Sequence, residues 1–253
     1  MTVALNGKPT FGAGRVFATA NLTNPTPARA MVPQSQSIDF KRKTESLFGE
    51  NQLAVAVGAG EMDVTGKVEY AKINARMFAD NLFGVASTTG SYAEADGELG
   101  TVAASTPFIV TVANVATFLF DLGVINVLTG AILSCVATGS EVAGKSYSVA
   151  NGVYKFAAAD DGANVKISYA YSVPTAGETV SLTNQPQGLT GNFQATHVLP
   201  WGTEQDMFVF GNCLSGGGGL SMKKSGFASN TLDYTAACNS NGVLGTASFA
   251  EAA

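Results

Sequence analysis

The clearest pattern in the chain is a strict alternation over residues 61–70. Glu61, Asp63, Thr65, Lys67 and Glu69 interleave there with Met62, Val64, Gly66, Val68 and Tyr70. A period of two over that length predicts a β-strand with one wet face and one buried face. Residues 37–45 also alternate, with Ser37, Asp39, Lys41, Lys43 and Glu45 on one side and Ile38 and Phe40 beginning the other. Gly49-Glu50-Asn51 reads as a turn. Leu53, Val55 and Val57 then alternate with Ala54 and Ala56, and Gly58-Ala59-Gly60 turns the chain again. After this the period changes. Tyr70, Ile73, Met77, Phe78 and Leu82 recur at helical spacing, and Gly84 stands where a helix stops, so 71–83 is predicted to be a helix packed on the core.

Residues 1–35 read as an extended arm, because Pro9, Pro25, Pro27 and Pro33, together with Gly7, Gly12 and Gly14, oppose both helix and central strand. The polar, acidic run 85–100 reads as a loop. Residues 101–173 form a second pattern of strands: Phe108 to Val112, then Ser146 to Val149 and Val153 to Phe156 around Ala150-Asn151-Gly152. The Asn-Gly pair is a strong hairpin signal. Asp160-Asp161-Gly162 turns the chain, and Val165, Ile167, Tyr169 and Tyr171 line one face of a last strand before Pro174. Residues 176–253 return to strands at Thr179–Thr183, Phe193–Val198, Met207–Phe210, Gly219–Lys223 and Thr231–Ala236, with Gly216–Gly219 as a flexible joint.

Composition sharpens this picture. Only 13% of the 253 residues are charged, about half the usual share, and the deficit is made up by Gly, Ala, Ser, Thr and Asn. Such a surface can be covered by other protein. The net charge of −5 argues against a dedicated nucleic-acid binder, which needs a basic footprint. Cys135, Cys213 and Cys238 are odd in number and lack C-x-x-C spacing, so they are expected to be buried or half-buried thiols. The N-terminal run lacks the basic and apolar regions of a secretory signal. The uncharged stretch Thr101–Phe120 is too interrupted by Pro107, Asn114 and hydroxyl residues for a membrane helix.

Catalytic patterns are missing from the sequence. The single histidine, His197, precedes Leu199, Pro200 and Trp201 and reads as structural or surface. One histidine and scattered cysteines suggest no zinc site. There is no Gly-x-Ser-x-Gly elbow, and Lys223 occupies the position where a phosphate loop needs glycine before its Lys-Ser pair. Asp160-Asp161-Gly162 lacks the alternating ligands of a calcium loop, and Glu94, Asp96 and Glu98 read as solvated. The expectation is a protein that is not an enzyme and carries no cofactor or metal.

Two runs bear a family likeness. Ser37–Val57 contains Asp39-Phe40-Lys41-Arg42 and Leu47-Phe48-Gly49. Val64–Gly84 contains Thr65-Gly66-Lys67 and ends Leu82-Phe83-Gly84. Together they resemble the tail tube (major tail) proteins of long-tailed bacteriophages. Gly12-Ala13-Gly14-Arg15, Asp121–Val124, Thr129-Gly130 and Gly152-Val153-Tyr154 add to the likeness, while the region around Asn212-Cys213 and Leu220 fits more loosely. Gly58–Asp63 departs from it, being acidic where such proteins tend to be basic.

The resemblance implies a mainly β fold: a tail-tube-type β-sandwich or barrel with one flanking α-helix and an inserted all-β module, in a homohexameric ring. Its parts would be an N-terminal arm (1–35), a tube domain (36–100 and 174–253) and an inserted module or long β loop (101–173). Rings would stack into a virion tail tube whose bore conducts DNA to the host without binding it specifically. Four inner strands per copy would close a 24-stranded barrel of roughly 37 Å backbone diameter. The implied partners are copies of the chain itself, with tape measure, tail terminator and tail tip proteins; no membrane is implied. If the wet face of 61–69 lines the bore, Glu61, Asp63, Thr65, Lys67 and Glu69 carry a net −2 per copy that repels phosphate. The alternatives are another virion shell component, such as a head decoration or capsid-type protein, or an outer-membrane β-barrel. An immunoglobulin-like adhesin would suit 101–173 alone.

Overall fold

A computed structural model describes residues 12–20, 26–48, 50, 52–72, 74–184, 192–201, 204–222 and 224–250. Among the described residues, strand accounts for 63% and helical segments for 6%, so the fold is mainly β, as the alternations predict. The chain divides into two units, one of residues 1–87 and 180–253 and the other of Thr88–Thr179.

The first unit is a single sheet that curls into a half-barrel. Its strands are β1 (Arg15–Ala20), β2 (Ala28–Arg29), β3 (Met31–Phe48), β4 (Ala54–Lys72), β12 (Asn192–Trp201), β13 (Glu204–Ser221), β14 (Ser229–Ala236) and β15 (Gly245–Ser248). They lie in the order β2-β1-β12-β13-β14-β4-β3, with β15 added beside β13, and every pair is antiparallel. Val64, Gly66, Val68 and Tyr70 of β4 face inward, as their alternation predicts. They meet Val16, Phe193, Phe210, Leu232 and Tyr234 in one apolar cluster.

Four expectations for this unit are corrected. The arm 1–35 is not one extended appendage. Arg15–Ala20 is a sheet strand that buries Val16, Ala18 and Ala20 in alternation. The prolines do not prevent this, because Pro33 falls on the edge strand β3, where a missing N–H costs no ladder bond. Residues 1–11 and 21–25 lie outside the described residues. The helix predicted over 71–83 is shorter. β4 runs on to Lys72, and the helical segment α1 is a single π-type stretch, Met77–Phe83, closed by Gly84 at φ 63°. The run Gly216–Gly219 is not a flexible joint but part of β13, paired with β14. A Cβ at Gly218 would meet the Thr231 carbonyl at 3.0 Å and the Leu82 methyls at 3.3 Å, so glycine lets α1 lie close on the sheet. Finally, no strand forms at 181–184; a strand of the second unit, Asn164–Thr179, ends before them instead.

The second unit is a seven-stranded sheet system. It comprises β5 (Thr88–Thr101), β6 (Ile109–Thr111), β7 (Phe118–Asn126), β8 (Ile132–Cys135), β9 (Ser146–Ala150), β10 (Val153–Lys155) and β11 (Asn164–Thr179). Its order is β5-β11-β7-β8-β9-β10-β6, with β8 and β9 parallel and the rest antiparallel. Residues 88–101, expected as a loop, are a strand paired along β11. For that reason the unit extends past 101–173 at both ends. Thr88 pairs with Thr179, so its two ends leave side by side, as an insertion requires. Asn151-Gly152 makes the predicted hairpin turn, with φ of 49° and 78°.

Buried tyrosines organise this second core. Tyr147, Tyr154 and Tyr169 are buried, with ring centroids of Tyr147 and Tyr154 5.6 Å apart. Their hydroxyls end on carboxylates: Tyr147 and Tyr154 donate to Asp121, and Tyr169 donates to Glu98 at 2.6 Å. Burial, then these bonds, push the Tyr147 and Tyr154 hydroxyls well above the usual phenol range, so both stay donors. Replacing Asp121 by Asn turns one of the two oxygens that accept these hydroxyls into an amide donor. Asp121→Asn is expected to destabilise the protein by about 1–3 kcal/mol, measured by denaturant unfolding.

Candidate assembly surface

β4 is paired on both edges only between Val64 and Tyr70, where β14 lies on one side and β3 on the other. Among the described residues, its stretch 54–63 has β3 alone as a neighbour. Lys41–Phe48 and Ala54–Asp63 therefore leave the sheet as a two-stranded ribbon roughly 25–30 Å long. Every described residue of it is exposed. Leu47, Phe48, Leu53, Val55 and Val57 are between 61% and 83% exposed, and between residues 46 and 60 the only charge is Glu50. Leu47 pairs with Ala56, and Ser46 with Val57, so both faces carry apolar groups. A hairpin alone is marginal in water, and an exposed apolar edge strand is a template for further pairing.

The predicted bore residues share the outer face of the curl. Glu61 and Asp63 are exposed on the ribbon, Lys67 is exposed farther along β4, and Thr65 and Glu69 are half-buried there. The neighbours in register are Asp39 and Lys41 on β3 and Asp233 on β14. Lys43 Nζ reaches Glu61 Oε2 at 2.7 Å, and Lys67 Nζ lies 3.4 Å from Glu69 Oε1. Five carboxylates thus stand against three ammonium groups, interspersed in sign. Pairs as exposed as these contribute little to stability.

The opposite, inner face opens into an apolar groove of about 220 Å³. Ile38 and Phe40 of β3 form one lip, Leu199 of β12 and Phe208 of β13 form the other, and Gln36 and His197 lie at its floor. Phe249 continues the apolar rim, its ring 5.5 Å from that of Phe208.

His197 is fully buried and holds the curl together. Its Nδ1–H donates to Gln36 Oε1 at 2.7 Å, and its Nε2 accepts from the Tyr234 hydroxyl. These three residues come from β12, β3 and β14, so the imidazole joins strands far apart in the sheet order. Gly14 closes the same corner, with φ of 61°; a Cβ there would run into the Gln36 amide and the Val198 carbonyl. The sequence suggests a structural histidine. The alternation Phe193, Ala195, His197, all buried, was the signal that it points into the core. The groove itself has no sequence signal, because its lips are distant in the chain.

The thiols differ in part from expectation. Cys213 is buried, and burial raises its pKa to about 11, while Cys135 and Cys238 are exposed. Among the described residues, no group of three His, Cys, Asp or Glu side chains could hold a metal. No helix there is long and apolar enough to cross a membrane. The sequence matches no protein-family model and no curated protein.

Burial lowers the pKa of His197 to about 4, against 6.5 for the free side chain. The unfolded chain therefore binds a proton that the folded chain refuses between these values. Stability from this site is complete above pH 6.5 and is lost as pH falls toward 4, by about 3 kcal/mol. Denaturant titrations across that range should show the fall. His197→Gln, which keeps a donor and an acceptor, should flatten it.

Proposed function

We propose that this chain is the structural subunit of a bacteriophage tail tube, forming rings that stack into a cylinder whose bore conducts DNA. The observation that carries this reading is the ribbon Lys41–Phe48 and Ala54–Asp63, which extends an unfinished sheet and exposes apolar groups on both faces. A surface of that kind suits a chain whose sheets are completed by other copies. The mainly β half-barrel, the scarcity of charge and the likeness at 37–84 support the same reading.

In the assembled tube the outer face of β4 lines the bore. Its mixed but net negative charge, from Glu61, Asp63, Lys67, Glu69 and their neighbours, keeps a duplex from adhering, since phosphate finds no continuous basic track. The unit Thr88–Thr179, entering and leaving at one paired point, is an inserted module on this tube subunit. Tape measure, terminator and tip proteins are the partners at its lumen and ends.

Native mass measurement and electron microscopy of the purified protein test this. Hexameric rings or hollow cylinders are expected, with the Glu61–Glu69 face toward the central channel. Closed shells or head-like lattices would mean another virion component. A monomer at high concentration would overturn the reading.

A further inference from the structure

We infer that the inner groove floored by His197 is the receptor for the ribbon tip of a second copy. The inference rests on the reading of a self-assembling chain and specifies the contact that makes it assemble.

Three observations carry it. The first is chemical. Ile38, Phe40, Leu199 and Phe208 make an open apolar mouth, and no group lining the groove is charged at neutral pH, because His197 is held neutral by burial. The ribbon tip has the matching character: Leu47, Leu53, Val55 and Val57 with a single charge nearby, Glu50.

The second is geometric. Phe40 belongs to the groove lip and to the root of the ribbon at once, its ring 6.4 Å from that of Phe210. The ribbon leaves from this lip and is paired from Arg42 with Met62 to Phe48 with Ala54, with register shifts after Arg42 and after Leu47. Its tip is thus carried roughly 25–30 Å from the groove beside its own root. Leu47, Leu53, Val55 and Val57 do not line the groove of their own chain, so a tip that fills it comes from another copy.

The third concerns symmetry. Tip and groove are different surfaces of one chain, so their contact is heterologous. Each copy offers one tip and one groove, and the contact repeats until a ring closes or a filament grows. Docking buries apolar side chains of the tip and of the groove against each other.

The test uses the whole chain with the exposed thiols removed (Cys135→Ser, Cys238→Ser). Leu53→Cys is placed at the tip in one preparation and Leu199→Cys at the groove lip in another. Mixed and treated with a short bismaleimide, the two should give covalent dimers, while each alone gives at least tenfold fewer. The chain carrying both should give a ladder. As a second readout, a photoreactive phenylalanine at position 53 of an otherwise unaltered chain should capture peptides containing Ile38–Phe40 or Leu199–Phe208. Rings that assemble without these cross-links would overturn the tip-in-groove contact and leave the tube reading standing. A chain that stays monomeric would overturn both.

Discussion

The structure depends on one constraint: β4 is nineteen residues long, but only its Val64–Tyr70 segment has neighbours on both edges. Where both edges are paired, side chains alternate between the core and water as a sheet in a solitary protein requires. Where only β3 remains, Val55 and Val57 occupy positions that would be core in a complete sheet and stand in water instead. Burial of such side chains contributes about 1.5–3 kcal/mol each, so the ribbon represents a large unused drive toward association.

The remaining features of the first unit give that ribbon a firm base. The buried bonds from Gln36 to His197 and from His197 to Tyr234 tie β3, at the sheet edge, to β12 and β14. Gly14 permits a close approach of the turn before β1 to β3 and β12, and Gly218 one of α1 to β13. The curl that results leaves an apolar mouth along one side, between Phe40 and Phe208. The second unit is built differently. Its core is aromatic and its polar ends are closed by Asp121 and Glu98, so it needs no neighbouring copy to satisfy its buried hydroxyls.

Much of this was legible in the chain. The alternation at 64–70, the Asn151-Gly152 turn and the helix stop at Gly84 are local signals, and local geometry obeys them, whereas Met62, predicted for the buried face, is exposed. β5 was not legible because its half-buried positions are Ala93, Ala95 and Gly97, too small to register as an apolar face, with Glu94 and Asp96 between them. They are accommodated by β11, whose larger residues supply the bulk that β5 lacks. The glycine strand at 216–219 misled for the same reason: its packing comes from Leu82, a residue far away in sequence. The ribbon misled in the opposite sense. Alternating Val55 and Val57 predict burial, and burial is what the single chain does not provide.

Backbone hydrogen exchange as a function of protein concentration reads this constraint most directly. If the ribbon is completed by a second copy, amides of Ala54–Asp63 should become protected as concentration rises, together with those of Ile38–Phe40 and Leu199–Phe208 lining the groove. Exchange over 54–63 that stays fast and independent of concentration, in a protein whose Val64–Tyr70 amides are protected throughout, would contradict the account.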